Sequence, residues 1–182
     1  MSETKAASRY AKSLIDLSIE LNALEDMKND MATIEQVIRK NPELEAILGN
    51  PIVPLNKKAG ILNDVFGAQV HKATRTFMDL VVSKGRSGIL YATSKQFRVQ
   101  YNQIKGIVTA DVASAVELTE ANRAEIVNIV KQQAGAKEVI LREKVNPNLI
   151  GGFILTVGDR QFDASISSSL NKLKKEFAQG VA

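Results

Sequence analysis

Residues 146–165 read NPNLIGGFILTVGDRQFDAS, and this stretch decides the class of the second half of the chain. Two adjacent glycines, Gly151 and Gly152, stand before an apolar run that ends at a Gly158-Asp159 pair. Loops that bind phosphate have the pattern GxxxxGK(S/T), or GxGxxG between a strand and a helix, and neither pattern occurs here. The glycines are therefore predicted to serve a structural purpose.

The stretch predicts a β-hairpin followed by a helix. Residues 153–157 and 160–163 are the two strands, and Gly158 can adopt the positive φ that a type II′ turn requires. Asp163 stands where a helix N-cap belongs, ahead of a helix predicted for 163–178. The apolar face of that helix consists of Ile166, Leu170, Leu173 and Phe177.

The residues before the hairpin indicate a small mixed domain. Apolar residues alternate in 107–116 and again in 139–145, which is typical of strands. Residues 120–134 between them are predicted to form a helix, because Thr119 is a suitable N-cap and Gly135 a suitable terminator. We therefore expect residues 106–182 to form a small α/β domain that contains the hairpin.

The first 105 residues are helical by pattern. Apolar residues recur every three or four positions, which places them on one face of a helix. The first two helices are predicted at 4–21 and 23–40, with Asn22 between them, although one long coiled-coil helix is the alternative. The other four are predicted at 43–48, 57–66, 70–83 and 89–104. The fold class is therefore α+β, with a bundle of about six helices in 1–105 and the mixed domain after it.

The composition excludes several classes of site. The chain has 182 residues, 45% of them hydrophobic, and no cysteine, so it has neither disulfides nor thiolate metal sites. The single histidine, His71, has no second histidine to share a metal, and we interpret it as a surface helix residue. The serines at 165 and 167–169 lie in no nucleophile-elbow motif. We expect no active site, metal or cofactor.

Residues 66–105 carry seven Lys or Arg residues and one acid. Such a block is a possible nucleic-acid surface, a solvated helix face, or a docking surface for an acidic protein. It contains no Arg-Gly repeats, and its aromatic residues fit the spacing of a helical core, so we expect no nucleic-acid binding. Lys84 and Arg86 could contact an anion, although positive charge at a helix end explains them as well.

The hairpin and its helix resemble the C-terminal signature of the delta subunit of rotary ATP synthases, known in mitochondria as the oligomycin-sensitivity-conferring protein. The matching residues are Leu149, Ile150, Gly151, Gly152, Phe153, Val157, Gly158, Asp159, Asp163, Ser165, Leu170 and Leu173. Residues 7–18 resemble the family's opening helix, 83–86 its KGR element, and 105–119 its entry into the first strand. Ala164 stands where the family commonly has glycine, and Ser167–Ser169 where it often has arginines.

The resemblance implies a stator subunit without its own active site, present once per complex. Residues 1–105 would bind the N-terminal helix of an alpha subunit of the catalytic alpha/beta hexamer, between the first and fifth helices. Residues 106–182 would hold the b-type subunits of the peripheral stalk, so that rotor torque drives ATP synthesis by the proton-translocating enzyme.

A helix-in-groove contact needs apolar anchors on neighbouring helices. The candidates are Tyr10, Ser13, Leu14 and Leu17 on the first helix and Phe77, Leu80 and Val81 on the fifth. Tyr10 and Ser13 suit the rim, while the others could equally fill the core of the bundle. A generic helical adaptor, unrelated to ATP synthase, is a further alternative.

No apolar run approaches the roughly 20 residues that span a bilayer, and the first residues lack the apolar core of a secretion signal. Membrane association would therefore be indirect, through the complex. We expect the protein at the cytoplasmic face of a bacterial inner membrane, with the mitochondrial matrix or chloroplast stroma as the alternative for a processed subunit.

Overall fold

The computed structural model describes residues 3–179. The chain divides into two compact units, Met1–Tyr101 and Asn102–Ala182, and the division falls in the last turns of a helix, four residues before the boundary expected from the sequence. The first unit is helical and the second is mixed, which confirms the predicted α+β class. The helices of the first unit are α1 (Glu3–Glu20), α2 (Leu24–Lys40), α3 (Pro42–Gly49), α4 (Leu55–Phe66), α5 (Lys72–Ser83) and, across the division, α6 (Leu90–Lys105).

Two separate helices open the chain, as predicted, and Asn22 lies in the turn between them. Asn22 has φ +53°, the left-handed conformation that ends many helices. Its amide donates to the Ile19 carbonyl at 3.1 Å, and the Ala23 amide donates to the Ser18 carbonyl at 2.9 Å. These two bonds form a Schellman motif, so the chain reverses here and does not continue as one coiled-coil helix.

The core of the first unit comes from the inner faces of its helices. α1 contributes Leu14 and Ile15, and α2 contributes residues spaced by three or four positions. The buried α2 residues are Met27, Asp30, Met31, Ile34 and Ile38. Phe97 of α6 is fully buried, whereas Ile104 near the end of the same helix is 53% exposed.

A buried polar cluster joins α4 to the loop after α5. The Lys58 ammonium donates to the Leu48 carbonyl at 2.8 Å and to the Ser87 hydroxyl at 3.3 Å. Ser87, in a short 3-10 turn (Ser87–Ile89), donates to the same carbonyl at 2.7 Å. Since a buried charge is tolerated only when it is hydrogen-bonded, this cluster fixes where the loop 84–88 returns to the bundle.

The second unit is a four-stranded sheet in the order β2-β1-β3-β4. Its elements are β1 (Ile107–Ser114), α7 (Glu120–Ala134), β2 (Glu138–Val145), β3 (Phe153–Val157), β4 (Arg160–Asp163) and α8 (Ile166–Gln179). β1 and β2 are parallel with α7 as the crossover, and β3 pairs antiparallel with both β1 and β4. One face of the sheet forms a core with α7 through Ala110, Val112, Ile126, Val130 and Leu155.

The predicted hairpin is present, with Val157 paired to Arg160. Gly158 has φ +61° and Asp159 has no positive φ, as a type II′ turn requires. Gly152, at φ +75°, approaches the end of β4 so closely that an added Cβ would lie 2.2 Å from the Ala164 carbonyl oxygen. The glycines therefore serve the hairpin.

The prediction that Asp163 caps the last helix is wrong in detail. Asp163 ends β4, and α8 begins at Ile166. Ser165 occupies the cap position, and its hydroxyl oxygen accepts from the Ser168 amide at 3.2 Å. The Asp163 carboxylate instead accepts from the Ser165 amide at 2.9 Å, because the pairing of β4 with β3 keeps Asp163 extended.

Candidate functional site

An apolar groove of about 620 Å3 lies between α1 and α5. Tyr10 of α1 packs against Phe77 in the middle of α5, and its hydroxyl accepts from Arg86, which follows the end of α5, so the Tyr10 end of the groove lies toward the end of α5. Its lining residues are Tyr10, Ser13, Leu14, Leu17, Leu21, His71, Lys72, Ala73, Thr76, Phe77 and Leu80.

The groove exists because α1 carries more apolar positions than the core covers. One stripe, with Ala7, Ala11 and Ile15, faces inward and is buried. A second stripe passes through Leu17 and Leu21, which remain exposed. A helix that is apolar over so wide an arc is typical of one that contacts something besides its own core.

Six of the seven residues predicted from the sequence line the groove. Leu14 and Phe77 are buried and form its floor, while Leu17 and Leu80 are exposed at its sides. Val81 does not line it and is 1% exposed in the core. Successive residues of a helix point about 100° apart, so Val81 is directed away from the surface that Leu80 occupies.

Five lining residues were missed by the sequence analysis: Leu21, His71, Lys72, Ala73 and Thr76. Ala73 lies four positions before Phe77, and Thr76 lies four positions before Leu80, so each shares a helical face with a predicted groove residue. This spacing could have identified them. His71 stands just before the helix, as its N-cap, and its Nδ1 accepts from the Ala73 amide at 3.2 Å. It is exposed, as expected, but belongs to the groove.

Tyr10 closes one end of the groove. Its ring packs edge-on against Phe77, with centroids 6.2 Å apart. The Arg86 guanidinium donates to the Tyr10 hydroxyl at 2.9 Å and lies 5.9 Å from the centre of the ring. Beyond Tyr10 a smaller depression of about 170 Å3 continues the surface, lined by Ala6, Arg9, Tyr10, Ser13 and Arg86.

The KGR element places Arg86 at this end. Lys84 is the C-cap of α5 and Gly85 follows with φ +66°. The Gly85 amide donates to the Val82 carbonyl at 2.8 Å and the Arg86 amide to the Val81 carbonyl at 2.9 Å, which is again a Schellman motif. The motif turns the chain so that Arg86 returns to the groove.

Two other cations of the basic block make contacts within the first unit. Arg98 forms an ion pair with Glu35 at 3.0 Å, and the Lys95 ammonium lies 4.1 Å from the centre of the Tyr91 ring. These contacts explain part of the block as structural, while its exclusion as a nucleic-acid surface stays a prediction.

A second apolar surface lies on α8 in the other unit. Its residues recur at spacings of four, three and four, which places them on one face, and about half or more of each is exposed. Phe177 is the most open, at 73%. The members of this α8 stripe are Ile166, Leu170, Leu173 and Phe177.

Comparison with known proteins identifies the family. The family model for the ATP synthase delta (OSCP) subunit matches residues 6–177. The ATP synthase subunit delta of Cytophaga hutchinsonii is 39% identical over 181 residues, which cover 100% of this chain and 98% of the relative. The chain belongs to the ATP synthase delta (OSCP) subunit family. The resemblance inferred from the hairpin signature is thus confirmed.

Relatives of the delta (OSCP) family from other sources agree. The chloroplastic ATP synthase subunit delta of Ochrosphaera neapolitana is 33% identical over 174 residues, covering 95% of this chain and 97% of the relative. A chain in the cryo-EM structure of the Toxoplasma gondii mitochondrial ATP synthase hexamer has the same fold, with a TM-score of 0.70 at 17% identity over 94% of this chain and 97% of that chain.

Several polar groups of this delta-family chain have structural partners. Ser165 caps α8, and hydrogen bonds from the Ser165 and Ser168 hydroxyls and the Ser165 amide lower the pKa of Asp163 to about 2. Arg123 of α7 binds Glu143 of β2 at 2.6 Å and lowers the pKa of that carboxyl. Among the residues that the structure describes, no cluster of acids or histidines could hold a metal, and no helix is long and apolar enough to cross a bilayer.

Proposed function

We propose that the chain is a non-catalytic stator subunit of a proton-translocating ATP synthase. In this role it links the alpha/beta catalytic hexamer to the b-type peripheral stalk, so that rotor torque drives ATP synthesis. The observation that carries the proposal is the apolar groove between α1 and α5, in a member of the delta (OSCP) family.

The groove has the dimensions of a helix-binding site. From Tyr10 to Glu20, α1 rises about 15 Å, or nearly three helical turns, and Leu21 follows directly. Peptide helices commonly dock by laying an apolar face into such a groove, and Leu17, Leu21 and Leu80 offer exposed apolar surface for that face. The occupant proposed here is the N-terminal helix of an alpha subunit.

The α8 stripe suits the second contact. An exposed row of large apolar residues on one helix face is typical of a surface that another helix covers. Because α8 belongs to Asn102–Ala182 and the groove to Met1–Tyr101, the two contacts lie on separate units, as a linker between two partners requires. We assign the α8 stripe to the b-type stalk subunits.

The proposed location is the cytoplasmic face of a bacterial inner membrane, with one copy per complex and membrane attachment through the complex. The similarity to a delta subunit from Cytophaga hutchinsonii supports a bacterial setting, while that to a chloroplastic delta subunit keeps the organelle alternative open. Membership of the delta (OSCP) family, and polar side chains with structural partners, support a role without an active site.

The experiment measures binding to the full-length chain by isothermal titration calorimetry. The probe is a synthetic peptide of about three to five helical turns, the N-terminal segment of the alpha subunit from the same organism. Leu80→Asp places a charge in the groove, and Val99→Asp on α6 is the matched control, since both side chains are 47% exposed. We expect at least about tenfold weaker binding for Leu80→Asp, which is about 1.4 kcal/mol, and unchanged binding for the control.

The stalk contact has its own pair of variants. Leu170→Asp lies on the α8 stripe and is 52% exposed, while Ile104→Asp near the end of α6 is 53% exposed. We expect only the first to weaken binding of the C-terminal segment of a b-type stalk protein, and neither to change binding of the alpha peptide. Salt-dependent nucleic-acid binding with no response to any of these variants would favour the alternative function.

A further inference from the structure

The groove changes chemical character where it passes Tyr10. Tyr10 and Ser13 belong both to the apolar groove and to the depression beyond it, so the two are continuous. The depression adds Arg9 and Arg86. Among the described residues, neither lining contains an Asp or Glu. The apolar groove therefore ends at positive charge, and the part formed by Tyr10, Arg9 and Arg86 is called the cationic end.

Within the cationic end, both the backbone and the head group of Arg86 are fixed by hydrogen bonds. The Schellman motif fixes its backbone through the Val81 carbonyl, and Ser87 beside it is buried in the hydrogen-bonded cluster with Lys58. The Tyr10 hydroxyl accepts one of the five hydrogen bonds that a guanidinium can donate. The head group is therefore oriented in advance and retains donors for another acceptor.

The opposite end of the groove offers no comparable arrangement. Lys72 lies there on a flexible stem of four carbons. The beginning of α5 at that end already faces an acid, because the Asp30 carboxylate accepts from the His71 amide at 2.8 Å. Charge recognition along the groove is thus polarised toward Tyr10 and Arg86.

We propose that Arg86 determines which helix the groove accepts. The occupant is an amphipathic helix of about three turns that carries an Asp or Glu where its apolar stripe ends, and Arg86 binds that carboxylate. This inference rests on the proposed function, because it assumes that the groove is the docking site. It adds the direction in which the docked helix lies along the groove, and it names Arg86 as the residue that selects this direction.

The contact discriminates because docking changes its surroundings. In the free chain Arg86 is exposed, and solvent screens an exposed ion pair almost completely. A helix lying over Tyr10 excludes water and lowers the local dielectric, which strengthens a guanidinium–carboxylate pair. A helix with a cation at the same position is repelled, so the cationic end selects against basic amphipathic helices as well.

The test is a double-mutant cycle on the full-length chain. The peptides are the alpha-subunit N-terminal segment and a set in which each Asp or Glu is replaced singly by Asn or Gln. The protein variants are Arg86→Gln and Arg86→Lys, with Arg75→Gln as the control, since Arg75 is exposed on α5 outside the groove lining. Tyr10→Phe removes the hydroxyl that Arg86 binds and keeps the ring.

We expect Arg86→Gln to weaken binding at least about tenfold, the lower end of the range for a hydrogen bond to a charged group. One substituted peptide should lose the same factor, and combining it with Arg86→Gln should cost nothing more, since the two changes remove one contact. The affinity of Arg86→Lys should be intermediate, because lysine keeps the positive charge but lacks the paired N–H donors of the guanidinium. Arg75→Gln should bind within about twofold of the original chain. In a Tyr10→Phe background the factor lost through Arg86→Gln should persist, because the carboxylate contact does not pass through the Tyr10 hydroxyl.

Two results overturn the inference. In the first, the loss of affinity from Arg86→Gln adds to the loss from every substituted peptide. The same conclusion follows if an alpha-subunit segment without any Asp or Glu binds equally well to the original chain and to Arg86→Gln. In the second, Arg86→Gln costs no further affinity in a Tyr10→Phe background, which means that Arg86 acts only by holding Tyr10. In both cases weaker binding by Leu80→Asp leaves the docking site in place, whereas unchanged binding by Leu80→Asp refutes the proposed function itself.

Discussion

One carboxylate oxygen of Asp30 on α2 accepts hydrogen bonds from both the Thr74 hydroxyl, at 2.6 Å, and the His71 amide, at 2.8 Å, at the beginning of α5. Asp30 and Thr74 are buried, at 8% and 0% exposure. Since α5 is one wall of the groove, this contact fixes the first turn of that wall against the core. The site on the surface is therefore held from beneath by a polar contact in the interior.

Replacing Asp30 should destabilise the first unit. Asp30→Ala leaves the buried Thr74 hydroxyl and the His71 amide without their acceptor, and we expect a loss of about 2–3 kcal/mol in the free energy of unfolding. Urea unfolding of the full chain, followed by amide exchange in α5, measures it. Asp16→Ala, an exposed acid on α1, is the control and should change stability by less than about 0.5 kcal/mol. Equal stability of both variants would mean that the buried contact contributes nothing.

Replacement by alanine should destabilise the chain more at Gly152 than at Gly158. Gly158 has a positive φ and open space around it, while Gly152 combines a positive φ with the approach to the Ala164 carbonyl. Gly158→Ala should cost about 1 kcal/mol from backbone strain. Gly152→Ala adds a steric overlap with backbone that cannot move aside and should cost about 3 kcal/mol or more.

Amide exchange of β1 and β3 in the full chain measures both glycine variants. In a unit of this size a loss of about 3 kcal/mol is a large share of the total stability. We expect protection in the second unit to fall sharply for Gly152→Ala and slightly for Gly158→Ala, with α2 unchanged as the internal reference. The reverse order would contradict the steric account.

Most of the fold could be predicted because its signals are local. Apolar spacing indicated each helix to within a few residues, and the Gly158-Asp159 pair indicated the hairpin. The start of α8 was misplaced because Asp163, Ser165 and their neighbours are all good caps, and only the pairing of β4 decides which residue is still extended.

The groove was harder to predict than the helices that form it. Spacing shows which residues share a helix face, but the rotation of α5 about its own axis depends on contacts between distant residues, such as Asp30 with Thr74. That rotation buries Val81 and exposes Leu80. Arg86 was noted as an anion contact, yet its place beside Tyr10, 76 residues away, could not be inferred from either segment alone.

The Asp163 carboxyl should titrate unusually low. Its pKa in the folded chain is about 2 because hydrogen bonds from Ser165 and Ser168 stabilise the ionised form, against about 3.9 for an unperturbed Asp. A lowered folded pKa means that its contribution to stability is present above about pH 4 and is lost as the pH falls toward about 2. Carbon-13 NMR of the side-chain carboxyl should give a midpoint near 2.

Two serine variants check that assignment. Ser168→Ala removes one donor to Asp163 and should raise the midpoint, whereas Ser167→Ala, with no hydrogen bond to Asp163 in the structure, should leave it in place. A midpoint of about 4 in the unmodified chain, the ordinary value for an Asp, would mean that the hydrogen bonds do not persist in solution.

Asn22 should be replaceable by glycine but not by a branched residue. Its left-handed conformation, at φ +53°, is easy for glycine, tolerable for asparagine and strained for valine. Asn22→Gly should therefore leave the free energy of unfolding unchanged or raise it slightly, and Asn22→Val should lower it by about 1–2 kcal/mol. Asn29→Val, at an exposed position within α2, controls for helix propensity and should cost less than about 0.5 kcal/mol. If Asn22→Val were as stable as the original chain, α1 and α2 would have to join by some turn other than the Schellman motif, and the face of α1 that lines the groove would no longer be set by it.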